Sequence, residues 1–137
     1  MKTRIASVNE EQFQKCLEKK VWGSNNNSID KWEIGDLLIF SVNREIGAVA
    51  EIVGESYLDD SVIWDNGIFW NRIEIDFKYV LEPKNRIPIV NEIREFLYKD
   101  WGKNYGWGIL NKVPLEEETA KIIISMVEMA IENAKSK

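Results

Sequence analysis

Two nearly unbroken apolar runs, Leu37–Val42 and Ala48–Val53, flank the polar triplet Asn43-Arg44-Glu45. Runs of this length, opened by the Gly35-Asp36 turn signal, predict the arms of a β-hairpin. Strands apolar on both faces belong to a small closed or strongly curved sheet. Around this floor the pattern changes period. Arg4 to Val8 reads as a first strand, and Asn9 followed by Glu10 and Glu11 as a helix N-cap with favourable charges in the first turn. Phe13, Cys16 and Leu17, at i, i+3 and i+4, give a short amphipathic helix ending at Lys19-Lys20. Farther on, Ile73, Ile75, Phe77 and Tyr79 alternate with Arg72, Glu74, Asp76 and Lys78, which predicts a strand with one face in water.

Pro83 and Pro88 bracket a loop, and Val90, Ile93, Arg94 and Leu97 indicate a short helix after it. From Pro114, three glutamates, Glu116 to Glu118, open a long helix to about Asn133. Its core stripe is Ala120, Ile123, Ile124, Val127, Ala130 and Ile131, and Ile122, Met126 and Met129 widen it. Such a helix is expected to pack on two sides, with a following domain or a second copy of the chain over the second face. Gly54 to Asp60 reads as a polar connection with Tyr57 and Leu58 tucked in. Residues 21–32 and 100–114, rich in Trp, Gly, Asn and Ser, match no regular element.

Composition narrows the chemistry. The 137 residues, 45% of them hydrophobic, suit one globular domain over residues 1–137. No window approaches the roughly 20 apolar residues that span a bilayer, and the N-terminus lacks a signal-peptide core, so a soluble, cytoplasmic protein is expected. The chain has no histidine and a single cysteine, Cys16, which excludes an internal disulfide and removes every Ser-His or Cys-His nucleophile pair. Neither a structural metal nor a cofactor is expected, and enzymatic chemistry ranks below binding. The net charge of −5 argues against indiscriminate, charge-driven nucleic-acid binding but leaves open a pocket for one nucleotide. Cys16, on the helix's apolar face, reads as a buried small hydrophobe. The tryptophans of the Gly- and Asn-rich stretches have two readings, core plug or pocket wall.

The order Trp22-Gly23-Ser24, Phe40-Ser41-Val42-Asn43, Gly47-Ala48-Val49-Ala50-Glu51 and Trp64 before Gly67-Ile68-Phe69 resembles the YTH domain. The C-terminal portion is similar to the related EVE domains of the PUA-like superfamily. That likeness rests on Phe69-Trp70-Asn71-Arg72-Ile73, the helix near Val90 to Leu97, Trp101 to Gly108, and Pro114 to Glu118. The resemblance implies an α+β, PUA-like fold, a curved and nearly closed mixed β-sheet barrel with flanking helices. It also implies an aromatic cage for one extruded modified base. That base is N6-methyladenine in RNA for YTH domains, or a methylated base in DNA for the targeting domains of Mcr-type modification-dependent restriction proteins.

Carried across, the resemblance makes Trp22 and Trp64 the cage walls and Ser24 and Asn25, beside Gly23, the polar positions. Phe69, Ile68 or Trp70 supplies the third wall. Truncating either cage tryptophan is then expected to weaken binding while changing stability much less. Trp32, Trp101 and Trp107 are left as core or rim. Arg72, Lys78, Lys84 and Arg86, on or just after the solvent-facing side of the alternating strand, are the expected contacts to a nucleic-acid backbone. The expected partner is DNA or RNA carrying a modified base, N6-methyladenine or a modified cytosine. The rival reading is a non-catalytic interaction or structural module on the same fold, its aromatics buried and its last helix docking a partner.

Overall fold

The computed structural model describes residues 1–136; Lys137, the last residue of the expected domain, lies outside them. The expected hairpin forms from β3 (Leu37–Val42) and β4 (Glu45–Ile52). Its connection is shorter than the triplet suggested: Asn43 and Arg44 alone make the turn, with φ of 48° and 69°. Two successive left-handed residues match the right-handed twist of the strands, so Glu45 already belongs to the second arm. All six β3 residues are buried because each face meets a separate core. Leu38, Phe40 and Val42 point into one cluster, and Ile39 into the other.

β1 (Thr3–Val8) pairs parallel with β3, and β6 (Asn71–Val80) antiparallel with β4. The sheet order is β1-β3-β4-β6-β2, where β2 is Val21–Ser24, with short β5 (Tyr57–Leu58) on β6 and β7 (Ile87–Pro88) on β4. Register shifts at Phe40/Ser41 and Val49/Ala50 bend the strands. The result is a mixed sheet curled into a half-barrel with helices packed around it, the architecture expected from the sequence.

Helix α1 (Glu10–Lys19) starts on a full capping box: Gln12 N donates to Asn9 Oδ1, and Asn9 N to Gln12 Oε1, each at 2.8 Å. It buries Phe13 and Cys16 inside the curve of the sheet. The other face is covered by α2 (Arg94–Trp101) and the closing helix α4 (Glu117–Lys135), through Ile93, Leu97, Ala120, Ile123 and Val127. The closing helix starts after Pro114, at Glu117. Its widened stripe divides, with Ile122 and Met126 half-buried and Met129 63% exposed. Among the described residues no helix is long and apolar enough to cross a membrane.

Three local expectations are corrected. Val21–Ser24 is a strand, β2, because its backbone pairs with Val21↔Glu74 through Ser24↔Asn71 on β6, a long-range ladder that overrides a loop-like composition. Residues 100–114 are largely helical, with α3 at Tyr105–Leu110. Gly108 is needed there because a Cβ would collide with the Trp101 ring. Tyr57 and Leu58 do not tuck in: they are 43% and 75% exposed in the short strand they form.

Candidate functional site

The open side of the half-barrel holds a cavity of about 330 Å³. Trp22, Gly23, Ser24, Asn25, Trp64 and Phe69 all line it. Trp32, left as core or rim by the sequence, joins them, and so does the buried thiol of Cys16. A final wall comes from the end of α3, through Leu110, Asn111 and Lys112. Although the chain has 23 acidic residues, no Asp or Glu lines the cavity among the described residues.

β2 delivers the first wall. Trp22 is half-buried and rests edge-on against Phe40, with ring centroids 5.8 Å apart at 76°. The polar loop after it is knitted locally: Ser28 N donates to Asn26 Oδ1 at 2.9 Å, and Asn26 N to Ser24 Oγ at 3.3 Å. It is anchored from β6 by Asn71, whose Nδ2 donates to Asn26 O and to Asp30 Oδ1, each at 2.9 Å. The same Asn71 bond, with a second from Ser56, holds the Asp30 carboxyl below its ordinary pKa.

Trp64 and Phe69 deliver the opposite wall from the loop between β5 and β6. Their rings meet edge to face at 5.4 Å and 83°. Phe69 sits at φ 49°, a left-handed conformation that a bulky residue adopts only when its surroundings impose it. That turn brings Phe69 into the cavity as the third aromatic wall. Ile68 and Trp70 do not line it and are 39% and 36% exposed, so Trp70 is removed from the expected cage. Gly23 lets the rings close in, since a Cβ there would lie 2.7 Å from Trp64 Cη2 and 2.8 Å from Phe69 Cβ.

Arg72 explains how this loop is fixed, and it corrects the backbone-contact expectation. Its side chain is 1% exposed. Nη1 donates to Ser61 Oγ at 2.9 Å, Nη2 to Ile68 O at 3.0 Å and to Ser61 O, and Nε to Phe69 O at 3.2 Å. The guanidinium also pairs with Asp59 at 3.3 Å and lies 5.3 Å from the Trp64 ring centroid. The alternation that was expected to point Arg72 to water holds only from Glu74 onward, because the first residues of β6 are covered on both sides by loops.

Arg86 is likewise internal. It forms a bidentate pair with Glu10 at 2.5 and 3.1 Å, over the Phe13 ring, and its side chain is 5% exposed. Its hydrogen bond is the main reason the Glu10 carboxyl lies below its ordinary pKa. Lys78 pairs with Glu51 at 2.9 Å, and exposed Lys84 lies 3.7 Å from Glu82. None of the four expected backbone contacts lines the cavity.

The cation that does line it is Lys112. Its Nζ stands 5.7 Å from the Trp22 ring centroid and donates to Leu110 O at 3.3 Å, and burial holds its pKa below the usual lysine value. Nothing local in the sequence marks it, because Lys112 and Trp22 meet only through the tertiary fold. Trp32 is backed similarly by Arg4, 5.0 Å from its centroid. Arg4 is itself held by Asp36 at 3.0 Å. Burial works to raise the Asp36 pKa, but the amides of Lys2 and Glu33, together with Arg4, outweigh it and the net direction is down. Burial also pushes the Cys16 thiol up to about 12, so it is no nucleophile near neutral pH.

No family model and no curated protein matches the chain in sequence. Solved structures match its fold. The chain is similar to the YTH domain-containing protein mmi1 in an RNA complex, at 12% identity and a TM-score of 0.69, over 99% of this chain and 88% of that one. It is similar to the Pho92 YTH domain in complex with m6A, at 15% identity and a TM-score of 0.59, over 91% and 83%. The YTH domain of Zygosaccharomyces rouxii MRB1, in complex with N6-methyladenosine RNA, matches at 16% identity and a TM-score of 0.56, over 91% and 86%. The fold is that of a YTH-like domain.

Proposed function

We propose that the protein is a non-catalytic reader that takes one extruded N6-methyladenine of an RNA strand into the cavity between Trp22, Trp64 and Phe69. The observation that carries this reading is a cavity of about 330 Å³, walled by aromatic rings, free of carboxylates and open beside Ser24 and Asn25. Support also comes from the fold, shared with the Pho92 domain crystallised with m6A and the MRB1 domain with N6-methyladenosine RNA.

The physical logic starts from the loss of stacking when a base leaves its strand. Each aromatic contact returns about 1–3 kcal/mol, without chemistry. Trp22 offers an indole face shared with the movable Lys112 ammonium, while Trp64 and Phe69 bound the slot from the other side. A methyl group on the exocyclic amine fills an apolar wall that a hydrated amine leaves poorly satisfied. Ser24 Oγ is already engaged with Asn26. Asn25 makes no side-chain hydrogen bond among the described residues, so its amide, with the hydroxyls of Ser7 and Ser28, is available to read the base edge.

The reader proposed here requires no catalysis, which accords with a chain that has no histidine and a cavity whose thiol is protonated near neutral pH. Titrating the protein with RNA and DNA oligonucleotides of one sequence, each plain, adenine-methylated or cytosine-methylated, tests the reading. Preference for the adenine-methylated RNA is expected. Preference for a methylated DNA strand moves the proposal to a DNA-targeting role of the restriction type. Equal binding of all strands, or none, overturns it.

A further inference from the structure

Beside the cavity, sharing Ser7 and Leu110 with it, lies a wider groove of about 1130 Å³ along α3. Its cations are Arg44, on the β3–β4 turn, and Lys103, just before α3. Among the described residues neither forms an ion pair, unlike Arg4, Arg72 and Arg86, each of which is held by a carboxylate. Among the described residues no Asp or Glu lines the groove, in a chain where acidic residues outnumber Lys and Arg by 23 to 18. The lining of the two adjoining concavities therefore carries Lys112, Arg44 and Lys103, in a molecule whose net charge is −5.

The groove also carries an aromatic face without a core role. Trp107 is 61% exposed, on a helix whose other tryptophan contact, Trp101 against Gly108, lies in the core. Lys103, on the short 3-10 turn Gly102–Asn104, lines the groove together with Trp107 and Leu110 of α3, the last shared with the cavity. Asn111 Nδ2 donates to Trp107 O at 2.8 Å and ties the end of the helix, hence Lys112, to the turn that bears the indole.

We propose that this groove is a second nucleotide site, in which Arg44 and Lys103 hold the strand's phosphates and Trp107 stacks the base next to the extruded one. The proposal rests on the reader function above and extends it from one base to the strand. It also relocates the backbone path, from the β6 cations named by the sequence to the α3 side. An exposed indole beside unpaired cations suits single-stranded nucleic acid, for which stacking platforms and basic grooves are the common means of binding. A protein partner docking on the same tryptophan is the competing outcome of the test.

The test compares wild type and Trp107→Ala for binding to three probes: N6-methyladenosine as a free nucleoside, a methylated RNA pentanucleotide and its plain counterpart. Because Trp107 is exposed, thermal unfolding of the variant should match wild type. The expected result is a loss of about 5- to 100-fold for both pentanucleotides, with nucleoside binding unchanged. Arg44→Gln with Lys103→Gln should flatten the salt dependence of pentanucleotide binding by about two units of slope at most. If wild type binds the pentanucleotides without methyl preference, yet loses them on Trp107→Ala, the groove stands and the cage reading falls. Pentanucleotide binding that survives Trp107→Ala with its salt slope intact overturns the groove and leaves the cage. Absence of any RNA binding by wild type overturns both, and directs Trp107 to a protein partner.

Discussion

Three tryptophans border the same cavity, and each has a cation over its ring, but the cations are of two kinds. Trp64 and Trp32 are backed by arginines, Arg72 at 5.3 Å and Arg4 at 5.0 Å, both almost fully buried and both paired with an aspartate. Trp22 has Lys112 at 5.7 Å, with no carboxylate among the described residues to hold it. A planar guanidinium with several fixed hydrogen bonds is part of the scaffold, whereas a lysine on a flexible stem moves aside at small cost. In the proposed reading, the difference separates walls that belong to the core from the wall offered to a ligand. It also corrects the expectation that Trp22 and Trp64 behave alike, since Trp64 is 4% exposed and Trp22 is half-buried.

Breaking the comparison at Trp64 should have the largest effect. Trp64→Ala opens a cavity in a packed wall and is expected to cost about 3–5 kcal/mol of stability, read by chemical denaturation. Arg72→Met follows: it leaves the carbonyls of Ser61, Ile68 and Phe69 without their donor, at about 1–3 kcal/mol for each one kept from water. Arg72→Met should lower binding only through loss of the folded loop, so any binding that remains should keep its methyl preference, whereas Trp64→Ala also removes a wall of the cavity and should lower that preference.

Sharpening the comparison at Trp22 requires smaller effects on stability. Lys112→Met removes a cation–π contact worth about 0.5–2 kcal/mol and frees the Trp22 face. Free N6-methyladenosine, which has no phosphate for the ammonium to attract, should therefore bind this variant at least as tightly as wild type in calorimetry. Weaker nucleoside binding would mean that Lys112 is a fixed ligand contact. The smallest effect concerns the Trp32 wall and acid. The Asp36 pKa is lowered from 3.8 in the folded state, so its contribution to stability is present above about that pH and is lost as pH falls through the folded value. Acid titration of the unfolding free energy should show this loss, and Asp36→Asn should remove its part of the slope.

How much of this was legible in the sequence follows from the range of the interactions involved. The hairpin, the Asn9 cap and the stripe of α4 depend on neighbours a few residues away, and periodicity exposed them. β2, Val-Trp-Gly-Ser, was hidden because its Gly and Ser run into three asparagines that read as loop, and its pairing with β6 spans about fifty residues of chain. α3 was hidden because its glycines read as loop, although Gly108 serves close packing on Trp101. Arg72 was assigned to solvent by extending a period of two into residues that loops cover on both sides. The aromatic walls were found by family-like motifs, while Lys112, Trp32 and the α3 groove required the folded chain.

The most direct test of the central claim is the ratio of affinities for methylated and plain RNA of one sequence, measured in wild type and in Trp22→Ala. The account predicts a clear preference for the methylated strand in wild type. In the variant it predicts a loss of about 1–3 kcal/mol in binding the methylated strand and a collapse of the ratio towards one, with the fold intact. A ratio that survives Trp22→Ala unchanged would contradict it.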